Sequence, residues 1–218
     1  MFKKIINHIP FVNIALIVMM WAGCHFASNA ADSVDSYDTW VSQPETMFGL
    51  NDMAAMFGHM GASHLASNVA WLLLFGVAAE ILLGKVRYLA WVITIMGTWL
   101  VISELLPRDN SGIGASGWLY AIPGVLMYAS ARFVDKVHNE VLGYMAMPAC
   151  LYAVSLMGVA VDIVQINQET GVGHDQHIIG AIVGLIPVLA AMPMFISMGK
   201  RQLNISATYR KWKMANAR

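Results

Sequence analysis

Ser116 stands in the run Gly114-Ala115-Ser116-Gly117-Trp118-Leu119-Tyr120, and His177 opens the run His177-Ile178-Ile179-Gly180-Ala181-Ile182-Val183-Gly184. A serine hydroxyl is a weak nucleophile until a base within hydrogen-bond reach takes its proton, and histidine is the commonest such base. Both residues open apolar segments, where polar and ionisable groups are costly and are therefore functional candidates. A serine at a helix start also has free backbone N–H groups beside it that can receive an oxyanion. Taken alone, Ser116 reads slightly better as a helix cap beside small packing residues, and His177 has a structural reading as an intramembrane hydrogen-bonding group. Helical spacing ties the two together. Ser116, Tyr120 and Gly124 fall on one helical face, and His177, Gly180 and Gly184 on another. Small residues let membrane helices approach closely, so these faces can pack with Ser116 opposite His177.

A second constellation is His59-Met60-Gly61-Ala62-Ser63-His64-Leu65-Ala66-Ser67-Asn68. His64 and Asn68 are four residues apart and share a face. Their N–H groups can point at the oxygen that becomes negative during acyl transfer. His59 lies about 140° around an ideal helix from His64 and reads as structural. Further on, Gly76, Glu80 and Gly84 form a GxxxExxxG run, with Glu80 expected in packing or capping beside Lys85 and Arg87.

The elements that must position these groups are membrane helices. The chain is 58% hydrophobic and only 12% charged, against about 25% charged in soluble domains. Its formal net charge is zero and it has no basic-aromatic patch, which argues against a nucleic-acid partner. Cys24 and Cys150 both lie in apolar segments, so no disulfide framework is implied. Six stretches are long and apolar enough to be spans: Ile5–Phe26, His64–Leu83, Tyr88–Leu106, Ser116–Phe133, Val141–Val161 and His177–Met198. None alternates with period two, so a barrel is not expected. The fold class is an all-α polytopic membrane protein: a single domain over 1–218, with a core at 58–198 and a basic tail at 199–218.

Charge sets the expected orientation. Twelve of the 13 basic residues fall on alternate sides of the six spans, leaving Arg108 opposite, while acidic residues such as Asp52, Asp109, Asp162 and Asp175 fill the other loops. The positive-inside rule then places both termini in the cytoplasm and Ser116, His177, His64 and Asn68 near the outer face. Met1–Ala30 resembles a signal segment ending in Ser28-Asn29-Ala30, but its apolar run exceeds the usual signal core of about 7–15 residues and is expected to be retained as the first span. The Ser116–Phe133 stretch would rise about 27 Å, short of a core of about 30 Å. Ser116 is therefore expected below the outer surface, with Arg108–Ala115 dipping in to meet it.

Together, GASGWLY with Gly124, HIIGAIVG, HMGASHLASN and GVAAEILLG resemble the rhomboid family of intramembrane serine proteases, in order and spacing across roughly Gly58 to Gly184. The resemblance implies a six-transmembrane-helix bundle and a Ser–His dyad, with Ser116 as nucleophile and His177 as general base and then acid. It further implies that His64, Asn68 and the Ser116 backbone N–H form the oxyanion hole and that Tyr120 packs on the catalytic histidine. The family has no aspartate as third member, and none stands out in this sequence. The chain also departs from the family. Asn29–Phe57 contains Trp40 but no arginine, where many members carry a Trp-Arg pair, and Gly173-His174-Asp175-Gln176 replaces small residues before the last span. His174 and Asp175 read more readily as a polar loop end than as groups that tune the base.

The expected activity is an intramembrane serine endopeptidase that cleaves transmembrane-protein substrates near the outer face of a bacterial inner membrane, with no cofactor and no metal. Two other readings stay open. One is a rhomboid-like factor that binds membrane proteins without cleaving them. The other is a metal or transport site built from His59, His64, His174, Asp175 and His177, although HExxH is absent and no duplicated halves are visible.

Overall fold

The structure is a computed structural model that describes residues 9–30, 55–59, 61–105, 114–137, 145–166 and 173–216. Its elements are α1 (Phe11–Ala30), α2 (Ala62–Trp71), a π-helical turn (Leu72–Gly76), α3 (Val77–Leu83), α4 (Lys85–Leu105), α5 (Ser116–Leu119), α6 (Ile122–Val137), α7 (Ala146–Gln165), α8 (His174–Val183) and α9 (Leu185–Ala215). No strand occurs among the described residues. Among the described residues, four stretches are long and apolar enough to cross a membrane: Ala62–Leu83, Lys85–Ser103, Ala146–Gln165 and His174–Ala215, with a shorter apolar helix at Phe11–His25. The chain is thus an all-α, multi-pass membrane protein.

The surface of the bundle is apolar, as lipid requires. Val18, Trp21, Ile93, Met157, Val164 and Leu189 are all exposed. On α7 the usual amphipathic pattern is inverted: Pro148, Ser155 and Asp162, seven residues apart, are buried, whereas Met147, Val154, Met157, Val161 and Val164 face outward. In water this helix would be inside out. In a bilayer the polar stripe belongs in the protein interior.

The expected fourth span is broken. α5 and α6 are separated by a turn at Tyr120-Ala121, where Pro123 falls near the start of α6 and its missing N–H costs nothing. Leu119, Ala121, Ile122, Val125, Leu126, Ala129 and Ala131 are all fully or almost fully buried, so α5–α6 is the central pillar of the bundle. A pillar surrounded by protein need not match the full lipid thickness. The sixth expected span is likewise interrupted, at Gly184. It starts earlier than expected, at His174, and α9 carries much of the basic tail as continuous helix to Ala215.

The second span corrects another expectation. Glu80 is buried and turns towards α1 rather than towards Lys85 and Arg87. Its Oε1 accepts from the Val12 backbone N–H at 2.9 Å, and its Oε2 accepts from the Asn13 backbone N–H at 2.9 Å and from Asn13 Nδ2 at 2.6 Å. The Tyr88 hydroxyl donates to Asn13 Oδ1 at 2.9 Å and completes the network. Lys85 instead lies over the Phe11 ring, 4.0 Å from its centroid. The first-turn N–H groups of a helix have no partner within the helix, and an acidic side chain there satisfies them and complements the dipole. Glu80→Ala would leave the Asn13 side-chain amide and two helix N–H groups without their acceptor. It is expected to cost about 3 kcal/mol, read as a lowered thermal unfolding midpoint in detergent without altered chemistry in the protein that remains folded.

Candidate active site

Glycines fix how the two halves of the site meet. A Cβ on Gly180 would collide with the Gly117 carbonyl, and one on Gly124 would collide with the Gly184 carbonyl. α5–α6 and α8–α9 are therefore in backbone contact at two levels. Ser116 precedes Gly117 by one residue, and His177 precedes Gly180 by one helical turn, so both stand beside the upper contact. Tyr120, on the same face as Ser116, stacks on His177 with ring centroids 4.3 Å apart and planes 8° from parallel. Trp71 stacks on the other side of Tyr120 at 5.1 Å and donates its indole N–H to the Leu119 carbonyl at 3.0 Å. Trp99 ties the same region from α4. Its ring fills the space a Gly117 side chain would need, and its indole N–H donates to the Gln176 carbonyl at 3.2 Å.

The segment 55–59 holds the opposite wall. Gly114 has φ +132°, which side-chain-bearing residues rarely adopt, and its N–H donates to the Ala55 carbonyl at 2.9 Å. A Cβ there would lie 2.7 Å from His64 Cε1, so the glycine leaves room for the His64 ring. His64 packs edge-on against His59, with centroids 4.9 Å apart, and is within electrostatic reach of His177. Asn68 is buried beside them. The sequence-predicted residues Ser116, His177, His64, Asn68 and Tyr120 thus gather at one end of the bundle.

His59 proves to be the partner of Asn68. Its Nδ1–H donates to the Phe57 carbonyl at 2.9 Å, which leaves Nε2 to accept from Asn68 Nδ2 at 2.8 Å. This assigns the tautomer and orients the Asn68 amide. Burial first, and then the neighbouring His64, push the His59 imidazole down to about 4, against the opposing pull of the Phe57 and Met20 carbonyls. The unfolded chain takes up this proton near 6.5. Between those values the unfolded state binds more protons, so the His59 contribution is complete above 6.5 and is lost as pH falls towards 4. The unfolding midpoint is expected to drop between roughly pH 7 and pH 5, and to drop less in His59→Gln, as followed by thermal unfolding in detergent.

The largest departure from expectation is an acid at the base. Asp162 Oδ1 lies 3.0 Å from His177 Nδ1 and 2.6 Å from His174 Nδ1, and all three residues are buried. The expectation that no aspartate stands by the pair is thereby overturned, and so is the reading of His174 as a mere loop end. Asp175 does remain outside, exposed and hydrogen-bonded to Gln176 Nε2 at 3.1 Å. The sequence did carry a signal for Asp162, in its seven-residue spacing from Ser155 and Pro148. The donor atoms of Asp162, His174 and His177 all lie within 4.8 Å of one another, the one such grouping among the described residues. A tetrahedral ion bonded at about 2.0 Å would hold its ligand atoms about 3.3 Å apart, so the 2.6 Å approach of Asp162 to His174 has the length of a hydrogen bond. Trp40, Arg108 and Ser111 lie outside the described residues.

The rhomboid domain model matches residues 51–193. This chain belongs to the rhomboid family. Comparison with curated proteins and with solved structures gave no match. Rhomboid proteins are in general intramembrane serine proteases acting on transmembrane substrates within the bilayer. Around the Gly117–Gly180 contact of this rhomboid stand Ser116, Tyr120 and His177.

Proposed function

We propose that this rhomboid protein is an intramembrane serine endopeptidase with Ser116 as nucleophile and His177 as general base and acid. The observation that carries this reading is the interlock of Gly117 with Gly180 under the Tyr120–His177 stack, which holds the serine and histidine faces together. With its Nδ1 directed at Asp162, His177 keeps Nε2 for the serine proton. In the first half-reaction Ser116 Oγ forms a bond to the substrate carbonyl carbon and its proton passes to His177. The C–N bond then breaks, and the same proton leaves with the amine product. Water, deprotonated by His177, next attacks the acyl-enzyme; the Ser116 Oγ–carbon bond breaks, the acid product leaves, and the proton passes from His177 back to Ser116 Oγ. His64, Asn68 and the Ser116 backbone N–H hold the oxygen that becomes negative in both halves.

α1 and α5–α6 complete a six-span bundle with the four longer stretches, in a single domain over 1–218. Both termini lie in the cytoplasm of a bacterial inner membrane and the site opens near the outer face, as the distribution of basic residues favours. Substrates are transmembrane proteins that enter from the lipid, and the chemistry needs no cofactor.

Reaction with a fluorophosphonate serine probe tests the assignment directly. Wild type and Ser111→Ala are expected to label, and Ser116→Ala is expected not to. Label that persists without Ser116, or that disappears with Ser111, overturns it. A wild type that is folded yet inert towards the probe would favour the non-cleaving, membrane-protein-binding alternative.

A further inference from the structure

We propose that Asp162 is a positioning residue for His177, itself held by His174, so that a hydrogen-bonded chain runs from His177 through Asp162 to His174 while the proton itself moves only between Ser116, His177 and the leaving group. The inference rests on the serine-protease reading above and deepens it. Asp162 lies in the last turn of α7, while His174 and His177 lie three residues apart in the first turn of α8, on the same helical face. Both imidazoles therefore point at one carboxyl group across the gap between the helices. That one oxygen, Oδ1, receives both Nδ1 atoms.

Three consequences follow for the base. An Nδ1–H bonded to Asp162 fixes the tautomer of His177 and leaves Nε2 as the acceptor for the serine proton. The hydrogen bond on one edge and the Tyr120 ring on one face together restrict rotation of the imidazole. When His177 takes the proton, the new cation lies beside a buried acidic group, where such stabilisation is large. His174 has a different task. At 2.6 Å its bond is the shorter of the two, and it anchors the carboxyl group from the first residue of α8. Asp162 Oδ2 is buried and has no hydrogen-bond partner among the described residues. The Tyr120 hydroxyl is within electrostatic reach of the same carboxyl group, so the acid faces the ring stack on His177 as well as the two imidazoles.

The test combines probe kinetics with the protonation state of the ring. In purified wild type, nitrogen NMR of labelled histidine is expected to report His177 as the Nδ1–H tautomer, and Asp162→Asn is expected to lose that signature. The same variant is expected to label at Ser116 about 10²–10⁴-fold more slowly than wild type, with an unchanged unfolding midpoint. Asp162→Glu is expected to recover part of the rate, and His174→Gln to lose about tenfold by loosening Asp162.

Asp162→Asn that labels at the wild-type rate overturns the proposal while leaving the protease reading intact. An Nε2–H tautomer in the wild type does the same, even if the variants fail to fold. Zinc that copurifies with the wild type, disappears in Asp162→Asn, and whose removal by a chelator speeds labelling would also overturn it, by making the cluster a metal site. Failure of the wild type to label at all strikes the underlying reading instead.

Discussion

Ser116→Ala is expected to reduce cleavage of a transmembrane substrate to background, and His177→Ala to reduce it by about 10²–10⁴-fold, with both variants folded. The two losses differ because the groups do different things. Without Ser116 Oγ there is no atom to form the acyl-enzyme, so neither cleavage nor probe label remains. Without His177 the hydroxyl is still present beside the oxyanion donors but must lose its proton to water, so slow labelling survives. A time course of probe reaction separates the cases: a flat line for Ser116→Ala and a slow exponential for His177→Ala. The effects do not add, because the pair acts as a unit, and the double variant is expected to match Ser116→Ala alone. Equal, partial losses in both single variants, with label persisting in each, would mean that neither residue is the nucleophile. The side chain of Ser116 is half-buried and that of His177 buried, and neither is among the larger groups of the core. Truncation here is therefore expected to leave the unfolding midpoint within a few degrees of wild type.

Gly180→Ala is expected to be almost as damaging although it removes no chemical group. Its Cβ would strike the Gly117 carbonyl and lie 3.0 Å from Tyr120 Cβ, and a backbone carbonyl cannot swing aside as a side chain can. α8 must then back away from α5, carrying His177 from Ser116. A misplacement of about 1 Å costs catalysis about 10²-fold, and overpacking a tight contact costs about 1–3 kcal/mol. Gly97→Ala is the matching control. Gly97 lies within α4, where a Cβ would meet nothing within 4 Å, so alanine is expected to be neutral or to stabilise the helix slightly. Measuring probe rate and unfolding midpoint for both variants decides the matter. If Gly180→Ala labels like Gly97→Ala, the backbone contact is not what holds the site together.

The convergence of the candidate residues was more legible in the sequence than the helices that carry them. Glycine at helical intervals from Ser116 and His177 is a pattern of contact as well as of composition, because only a residue without a side chain permits such an approach. The two faces could be matched before any coordinates. The pillar α5–α6 was harder to read, since hydropathy records burial in protein and burial in lipid alike and does not register the turn at Tyr120-Ala121. Asp162 was missed for a related reason. A charge at the end of an apolar run reads as the edge of the membrane, because an unpaired acid is expelled from lipid. Here two histidines from another helix satisfy it, and α7 continues past it to Gln165. Glu80 showed the same limit. Its place in the sequence suggested packing or capping beside Lys85 and Arg87, whereas the groups it caps lie at the start of α1. Partners contributed by a distant helix leave no local trace.

The π-helical turn at Leu72–Gly76 governs which way the two ends of that second long helix face. Asn68 and Glu80 are both buried, one beside His59 and the other against α1. In an unbroken α-helix, twelve residues amount to about three and a third turns, so the two side chains would point about a third of a turn apart. A π turn takes up one extra residue and leaves about three full turns between them. The inserted residue acts as a phase correction that lets one rod serve two separate interiors. Leu73 and Leu74, within the turn, are each 52% exposed, while Leu72 and Phe75 are fully buried. The lipid-facing pair is thus free to vary in identity. The number of residues between Trp71 and Val77 is not, because it sets the register of the Asn68 and Glu80 ends alike.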